Sequence, residues 1–162
     1  MSSFFAQPSQ LDIVYGKFPY HTEPASPGPI AHPCLVLDVY EAAALTGDYW
    51  VIVAFGTSQK VNELLTGQFA VLREHGAAFK KSGLALETKF SFERPKLAKL
   101  PYNDEWFGIP PERLRTSPAT PRIGSLDATF YARAIQAAGA AAGIKAALNE
   151  LNKINFGALS GS

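Results

Sequence analysis

The chain has 162 residues, of which 47% are hydrophobic and 18% charged, so it can bury a core and is too apolar for an intrinsically disordered protein. Fifteen basic residues against fourteen acidic ones give a formal net charge of +1, which argues against a strongly basic nucleic-acid-binding protein but leaves room for a local basic patch. One cysteine excludes an internal disulfide, and no stretch is apolar for long enough to span a membrane. We therefore expect a soluble, cytoplasmic protein without a membrane partner.

The composition along the chain predicts one domain between two short terminal segments. Residues 1–10 are expected to form a flexible arm, residues 11–153 the domain, and residues 154–162, which are rich in glycine and serine, a flexible tail. Within the domain, the stretch 101–121 holds five prolines and predicts a long irregular loop. A loop of that length in a compact domain is usually functional or mobile.

The apolar pattern predicts a series of short strands. Runs rich in β-branched and aromatic residues lie, in chain order, at 11–18, 33–40, 48–55, 69–73, 84–94, 96–100 and 122–125. The run at 48–55 is almost continuously apolar, so we expect its strand at the centre of the sheet. In the run at 84–94, polar residues alternate with apolar ones, which predicts one solvent-facing side; the polar positions are Glu87, Lys89, Ser91 and Glu93.

The segments between these strands predict loops, and the C-terminal part predicts a helix. Residues 19–33 contain five prolines and predict a loop, 41–47 a tight turn, and 60–65 a single helical turn. A helix is expected over 126–152, capped by Ser125 or Asp127 and open to a break between Gly139 and Gly143.

Strands joined by short or proline-rich loops and closed by a terminal helix predict a mainly β fold of the α+β class. The expected architecture is a small half-open barrel of five to seven strands with the helix attached.

Two segments each combine an apolar strand with a polar cluster at one end. His32 stands at the start of the strand 33–40, and the sequence Gly-Thr-Ser-Gln at 56–59 follows the strand 48–55. If these two strands pair antiparallel, the start of one lies beside the end of the other. An imidazole and two hydroxyls would then meet at one edge of the sheet, which makes this the candidate functional site.

Each of these polar groups has a structural alternative. His32 is suited to acid–base chemistry near neutral pH, or it is a loop histidine with one hydrogen bond. The hydroxyls and amide of 57–59 are suited to binding a phosphate or ribose, or they cap the helical turn that follows. Cys34 could pair with His32 as a nucleophile, but its place inside an apolar run favours a small core side chain.

Metal and cofactor motifs are missing from the sequence. His21, His32 and His75 lack ligand spacing and partner cysteines, so a structural zinc site is not expected. The sequence has neither a glycine-rich phosphate-binding loop nor a dinucleotide-binding fingerprint. We therefore expect no metal and no cofactor.

Basic residues cluster modestly over residues 80–122; they are Lys80, Lys81, Lys89, Arg94, Lys96, Lys99, Arg113, Arg115 and Arg122. Together with Tyr102, Trp106 and Phe107 they could provide a stacking surface for single-stranded RNA. Acidic neighbours such as Glu87 and Glu93 favour a mixed, solvated surface instead.

The order of the motifs resembles the MazF/PemK family of toxins from toxin–antitoxin modules. The opening strand of that family, G-D-I-V-W-V-x-F-P, is similar to Leu-Asp-Ile-Val-Tyr-Gly-Lys-Phe-Pro at 11–19. The family's R-P-x-[LV]-V-L is similar to His-Pro-Cys-Leu-Val-Leu at 32–37, and its T-S-Q or T-T-Q to Thr-Ser-Gln at 57–59. Later G-L and G-x-L elements resemble 82–84 and 122–126.

This resemblance, which covers residues 11–138, implies a fold and an activity. The family fold is a small SH3-like half-open barrel that usually forms a homodimer. Its members are growth inhibitors that cleave single-stranded RNA without a metal and are held in check by a cognate antitoxin protein. The expectation is therefore a metal-independent endoribonuclease with an antitoxin partner.

The resemblance also assigns roles to residues at matching positions. The catalytic pair implied here is His32 and Thr57, and the implied substrate-binding residues are Ser58, Gln59, Lys17 and Lys89. His32 replaces the family's arginine, which is permanently charged and bidentate. Either the histidine has taken over as acid and base, or cleavage is weakened or lost. The alternative function is a non-catalytic SH3-like barrel that binds protein or nucleic acid.

Overall fold

The described part of the chain forms a curled antiparallel sheet, a half-barrel, with helices packed on one face. In the computed structural model the described residues are 4–20, 22–23, 25–41, 48–110, 120–153 and 157–158. The strands are β1 Asp12–Gly16, β2 His32–Glu41, β3 Tyr49–Thr57, β4 Gln68–Val71, β5 Thr88–Ser91, β6 Leu97–Pro101, β7 Arg122–Ser125 and β8 Gly157–Ala158. The α-helices are α1 Ala77–Ser82, α2 Ala128–Ala137 and α3 Ala141–Leu151, and two 3₁₀ turns span Arg73–His75 and Arg94–Lys96.

Strand β3 is the centre of the sheet, as its apolar sequence predicted. The strand order is β4-β5-β3-β2-β1-β7, with β6 paired to both β3 and β8. β3 pairs with β2 on one side; on the other it pairs first with β6, from Trp50 to Ala54, and then with β5 at Gly56 and Thr57. This change of partner lets the sheet curl around the end of β3, where the candidate site lies.

The sheet separates two apolar cores, because adjacent residues of each central strand point to opposite faces. The first core lies under α2 and α3 and includes Ile13, Leu35, Ile52, Phe90, Ile135, Ile144 and Leu151. The second core lies on the other face, closed by the segment after β6, and includes Val14, Val36, Val53, Tyr102, Trp106 and Phe107. A stacking surface built on these three aromatic residues is therefore excluded, since they are 1–4% exposed.

The C-terminal helix is divided, as the glycine spacing allowed. Asp127 caps α2, and its carboxylate accepts a hydrogen bond from the Phe130 N–H at 2.9 Å. Gly139 follows with a φ of +64°, a conformation that favours glycine and separates α2 from α3.

The strand predicted over 84–94 is shorter than expected and lacks a solvent-facing side. Only Thr88–Ser91 is extended, and within it Lys89 and Ser91 are 7% and 3% exposed. Both polar groups are satisfied internally: the Lys89 ammonium donates to Glu63 O and Gln68 Nε2 donates to Ser91 Oγ. Leu86, predicted to be buried, is 58% exposed, because it precedes the strand. Because β5 pairs with β3 on one side and β4 on the other, its polar residues are buried in spite of the alternating sequence.

Two local predictions differ from the structure, and three fall wholly or partly outside the described residues: the turn at 41–47, the loop 101–121 over 111–119, and the tail 154–162 apart from 157–158. Residues 60–65 form hydrogen-bonded turns and no helix, with Lys60 at a φ of +52°. The short helix α1 was not predicted. The expected turn at 41–47 lies outside the described residues except for Glu41. Among the described residues, none of the helices is long and apolar enough to cross a membrane.

Candidate functional site: an imidazole and two hydroxyls between two clefts

The antiparallel pairing expected for the candidate site is confirmed. Cys34 lies opposite Phe55 in the last pair at this end of the two strands, and His32 and Thr57 each lie two residues beyond it. On the outer edges of the two strands, His32 pairs with Gly16 of β1 and Thr57 pairs with Lys89 of β5. The start of β2 and the end of β3 therefore lie at the same end of the sheet.

Gly56 is required where β3 bends towards β5. A Cβ atom at this position would lie 2.5 Å from Pro33 O and 2.7 Å from a ring carbon of Phe90. Both distances are far below normal contact, and the first involves backbone that cannot rotate away. The glycine therefore fixes the close approach of the two polar segments, a reason the sequence motif alone did not supply.

A cleft of about 300 Å³ opens at this end of the sheet, and we call it the Ser58 cleft. Its polar side chains include those of Tyr15, His32, Ser58 and Thr88, and its opposite wall is the segment 83–86. No lysine or arginine lines it within the part of the chain that the structure describes. It can accept a ligand by hydrogen bonding, without a permanent positive charge.

A second cleft, of about 180 Å³, lies on the other side of His32, and we call it the Lys96 cleft. It is formed by Phe18, Pro19, Tyr20, Pro29, Ile30, His32, Phe55, Pro95 and Lys96. His32 lines both clefts. A chain-like ligand lying across His32 would therefore reach both.

Partial burial adapts His32 to act as a base. Its ring centroid lies 5.0 Å from that of Phe55, and desolvation lowers the pKa of the imidazole below its ordinary value. Neither ring nitrogen hydrogen-bonds to another described residue. The lowered pKa favours the uncharged imidazole, in which one nitrogen can accept a proton and the other can donate one.

Thr57 holds the turn that follows β3 and keeps a hydrogen-bond donor. Its Oγ1 accepts a hydrogen bond from the Gln59 N–H at 3.2 Å, which uses one lone pair of the hydroxyl. The hydroxyl proton is not donated to another described residue, although Thr57 itself lines neither cleft. Because no helix follows in 60–65, the helix-capping alternative is replaced by the cap of a turn.

Of the four substrate-binding residues implied by the resemblance, one lines a cleft and three do not. Ser58 is exposed and lines the Ser58 cleft, whereas Gln59 is exposed and lines neither cleft. Lys17 directly follows Gly16, the partner of His32, and also lines neither cleft. Lys89 is buried beneath the turn 58–65, where its ammonium donates to Glu63 O at 3.0 Å. In this arrangement Lys89 anchors the turn that carries the hydroxyls.

Cys34 belongs to the core, in agreement with the favoured interpretation. Its thiol is fully buried, donates to His32 O at 3.5 Å, and has its pKa raised to about 12 by burial. A protonated, inaccessible thiol is not a nucleophile. Among the described residues, no group of three or more histidine, cysteine, aspartate or glutamate side chains could hold a metal ion.

Lys96 and Phe55 are site residues that the sequence did not single out. Leu97 pairs with Ala54, so the preceding Lys96 lies beside Phe55, with its ammonium 5.0 Å from the ring centroid. Nothing in the sequence favoured Lys96 over the other basic residues in this part of the chain. Only the pairing of β6 with β3 separates it from the rest.

The fold and site together define an α+β protein with a curled antiparallel half-barrel and a cleft at the end of its central strand that His32 and Ser58 line. No protein-family model matches the chain, and no curated protein sequence matches it.

Proposed function

We propose that the protein is a metal-independent endoribonuclease of the MazF/PemK-like type, built on an SH3-like barrel, that cleaves single-stranded RNA. The observation that carries this proposal is the antiparallel pairing of β2 and β3, which brings His32 and the hydroxyl segment 57–58 to the same end of the sheet, where His32 and Ser58 line an open cleft. The same proposal includes the homodimer, the cognate antitoxin protein and the cytoplasmic location that the family resemblance implies.

The proposed reaction needs a base, an acid and hydrogen-bond donors to phosphate. The neutral His32 imidazole takes the proton of a ribose 2′-OH as the 2′-oxygen attacks the adjacent phosphorus. The bond between phosphorus and the 5′-oxygen breaks, and the imidazolium returns the proton to that oxygen. The products are a 2′,3′-cyclic phosphate and a 5′-hydroxyl. The Thr57 and Ser58 hydroxyls donate to the phosphate oxygens, where negative charge develops.

One observation favours the second candidate, a non-catalytic barrel that binds protein or nucleic acid. None of the described residues lining the Ser58 cleft is a lysine or arginine, so charge on a phosphorane in this cleft would be opposed by hydroxyls and one imidazole. His32 also lacks the fork of the family's arginine. Under the first proposal we therefore expect slower cleavage than an arginine at this position would give.

A cleavage assay with a hydroxyl-deleted variant tests the proposal. Purified protein is incubated with end-labelled single-stranded RNA in EDTA, and the termini of the products are identified. We expect 2′,3′-cyclic phosphate ends, and a roughly 10- to 100-fold lower rate for Thr57→Val, since a hydrogen bond to a charged group is lost. Thr66→Val, at an exposed threonine outside both clefts, is the matched control. Intact RNA after prolonged incubation would leave only the non-catalytic candidate.

The pH dependence of cleavage follows from the lowered pKa of His32. Only the uncharged imidazole can accept the 2′-OH proton, so kcat/KM should rise with pH through a pKa below that of an ordinary histidine and then level off. Initial rates between about pH 5 and 8 measure this, with His32→Gln as the variant that should lose the acid limb. A rate that increases on acidification would assign His32 the role of acid alone.

A further inference from the structure

The Lys96 cleft has the walls of a site for one flat ring. Its sides are the rings of Phe18, Phe55 and three prolines, and its volume is about 180 Å³. Cavities for whole drug-sized ligands span roughly 300–1,000 Å³, so this cleft admits a single ring system only. At its rim, Tyr20 and Ile30 are 58% and 64% exposed, although both are large and apolar.

A cation and a hydrogen-bonding ring complete the cleft. Lys96 is exposed, its ammonium lies over the Phe55 ring, and it forms no ion pair with any described carboxylate. His32 forms the boundary with the Ser58 cleft. A flat ring and an adjacent anion are the features of a nucleotide, and a strand whose phosphate lies at His32 has neighbouring bases on both sides.

We propose that the Lys96 cleft is a base-binding subsite: it takes one base of the single-stranded RNA next to the phosphate at His32, and Lys96 pairs with the phosphate beside that base. This inference rests on the proposed function for its substrate. It gives the protein a place where one base is recognised by stacking, without regard to its identity. Lys96 also supplies the permanent positive charge that the Ser58 cleft lacks.

A scan with bases removed one at a time tests the subsite. Short single-stranded RNAs carry 2′-fluororibose at every position, which removes the attacking hydroxyl whether or not the protein cleaves RNA, and an abasic residue at each position in turn. Binding is measured by fluorescence anisotropy. We expect one position beside the scissile phosphate to lose roughly 5- to 150-fold in affinity, as for loss of one base–aromatic stack. The same RNAs are measured with Tyr20→Ala and Lys96→Met, both at exposed side chains.

The variants decide whether that base lies in the Lys96 cleft. In Tyr20→Ala the abasic penalty should shrink at the one position and stay unchanged elsewhere. Lys96→Met should weaken the binding of every RNA in the series and lower the salt dependence of binding by about one counterion. Lys80→Met, at an exposed lysine of α1 outside both clefts, should change neither the affinity for RNA nor the salt dependence of binding.

The outcomes separate this inference from the proposed function. Binding with the position-specific penalty, but no cleavage of the all-ribose strand, would retain the subsite and reject the nuclease. Cleavage with equal penalties at every position, or with a penalty that Tyr20→Ala leaves intact, would reject the subsite and retain the nuclease. No binding of any RNA would overturn both. A free nucleoside monophosphate that competes as well as the strand would assign the cleft to mononucleotides and overturn the strand subsite.

Discussion

Replacing His32 by alanine is expected to lower the rate of RNA cleavage roughly 10²- to 10⁴-fold, the usual contribution of a general acid–base residue. The expected loss is large because the imidazole both takes the 2′-OH proton and returns it to the 5′-oxygen. Its ring is half-buried and contacts Phe55, so the variant is also checked for thermal stability. The measurement is kcat/KM on the same RNA used for Thr57→Val.

Two further variants make this result specific. His32→Arg restores the charged, bidentate group of the family motif, so we expect activity without the acid limb of the pH profile. His75→Asn is the matched control, since His75 lies in a 3₁₀ turn where its Nδ1 accepts from the Leu72 N–H, a role that an asparagine oxygen can take. Near wild-type cleavage by His32→Ala, with Thr57→Val impaired, would remove His32 from the mechanism.

Replacing Gly124 by alanine is expected to destabilise the fold by about 3 kcal/mol, at the upper end of the range for inserting a methyl group into a packed site. A Cβ on Gly124 would lie 2.3 Å from the carbonyl carbon and oxygen of Ser82 and 2.6 Å from Lys81 O. All three are backbone atoms of α1, so no side-chain rotation relieves the clash. For a chain of this size the unfolding temperature should fall by roughly 6–12 °C.

A second glycine in α3 provides a control of opposite sign. A Cβ on Gly143 would meet nothing within 4 Å, and the residue lies inside a helix, so Gly143→Ala should stabilise the protein by up to about 1 kcal/mol. Thermal and urea unfolding of the two variants measure the contrast. Equal unfolding temperatures would mean that α1 and β7 are not packed as described.

The contact between α1 and β7 also supports the candidate site. Gly83 ends α1 with a φ of +70°, and a Cβ there would lie 1.9 Å from Ile123 O. The residues that follow it, 83–86, form the wall of the Ser58 cleft opposite Ser58. Residual Gly124→Ala protein is therefore expected to bind RNA less well, although Gly124 itself lines neither cleft.

Local sequence was sufficient for features whose physical cause is local. The strands β1, β2, β3 and β7 follow from short β-branched and apolar runs, and Asp127, one of the two predicted caps, begins α2. The antiparallel pairing that brings His32 towards Thr57 followed from the short separation of two strands along the chain. These predictions needed no knowledge of distant segments.

The tertiary structure decided what distant segments do to each other. Alternation along 84–94 predicted a solvent-facing Lys89, but pairing on both sides of β5 and the overlying turn bury it against Glu63 O. The pairing of β6 with β3 places Lys96 over Phe55, and the curl of the sheet makes His32 the boundary between two clefts.

The sequence by itself determined the strands β1, β2, β3 and β7, a helix beginning near Ser125 or Asp127, and the two polar segments, because hydrophobic periodicity and capping act over a few residues. Only the tertiary structure decided which cations reach the site, which glycines are irreplaceable and which hydroxyl keeps a free proton. Those properties depend on close approach between residues that are far apart in the chain, and a local sequence pattern does not predict which distant residues come together.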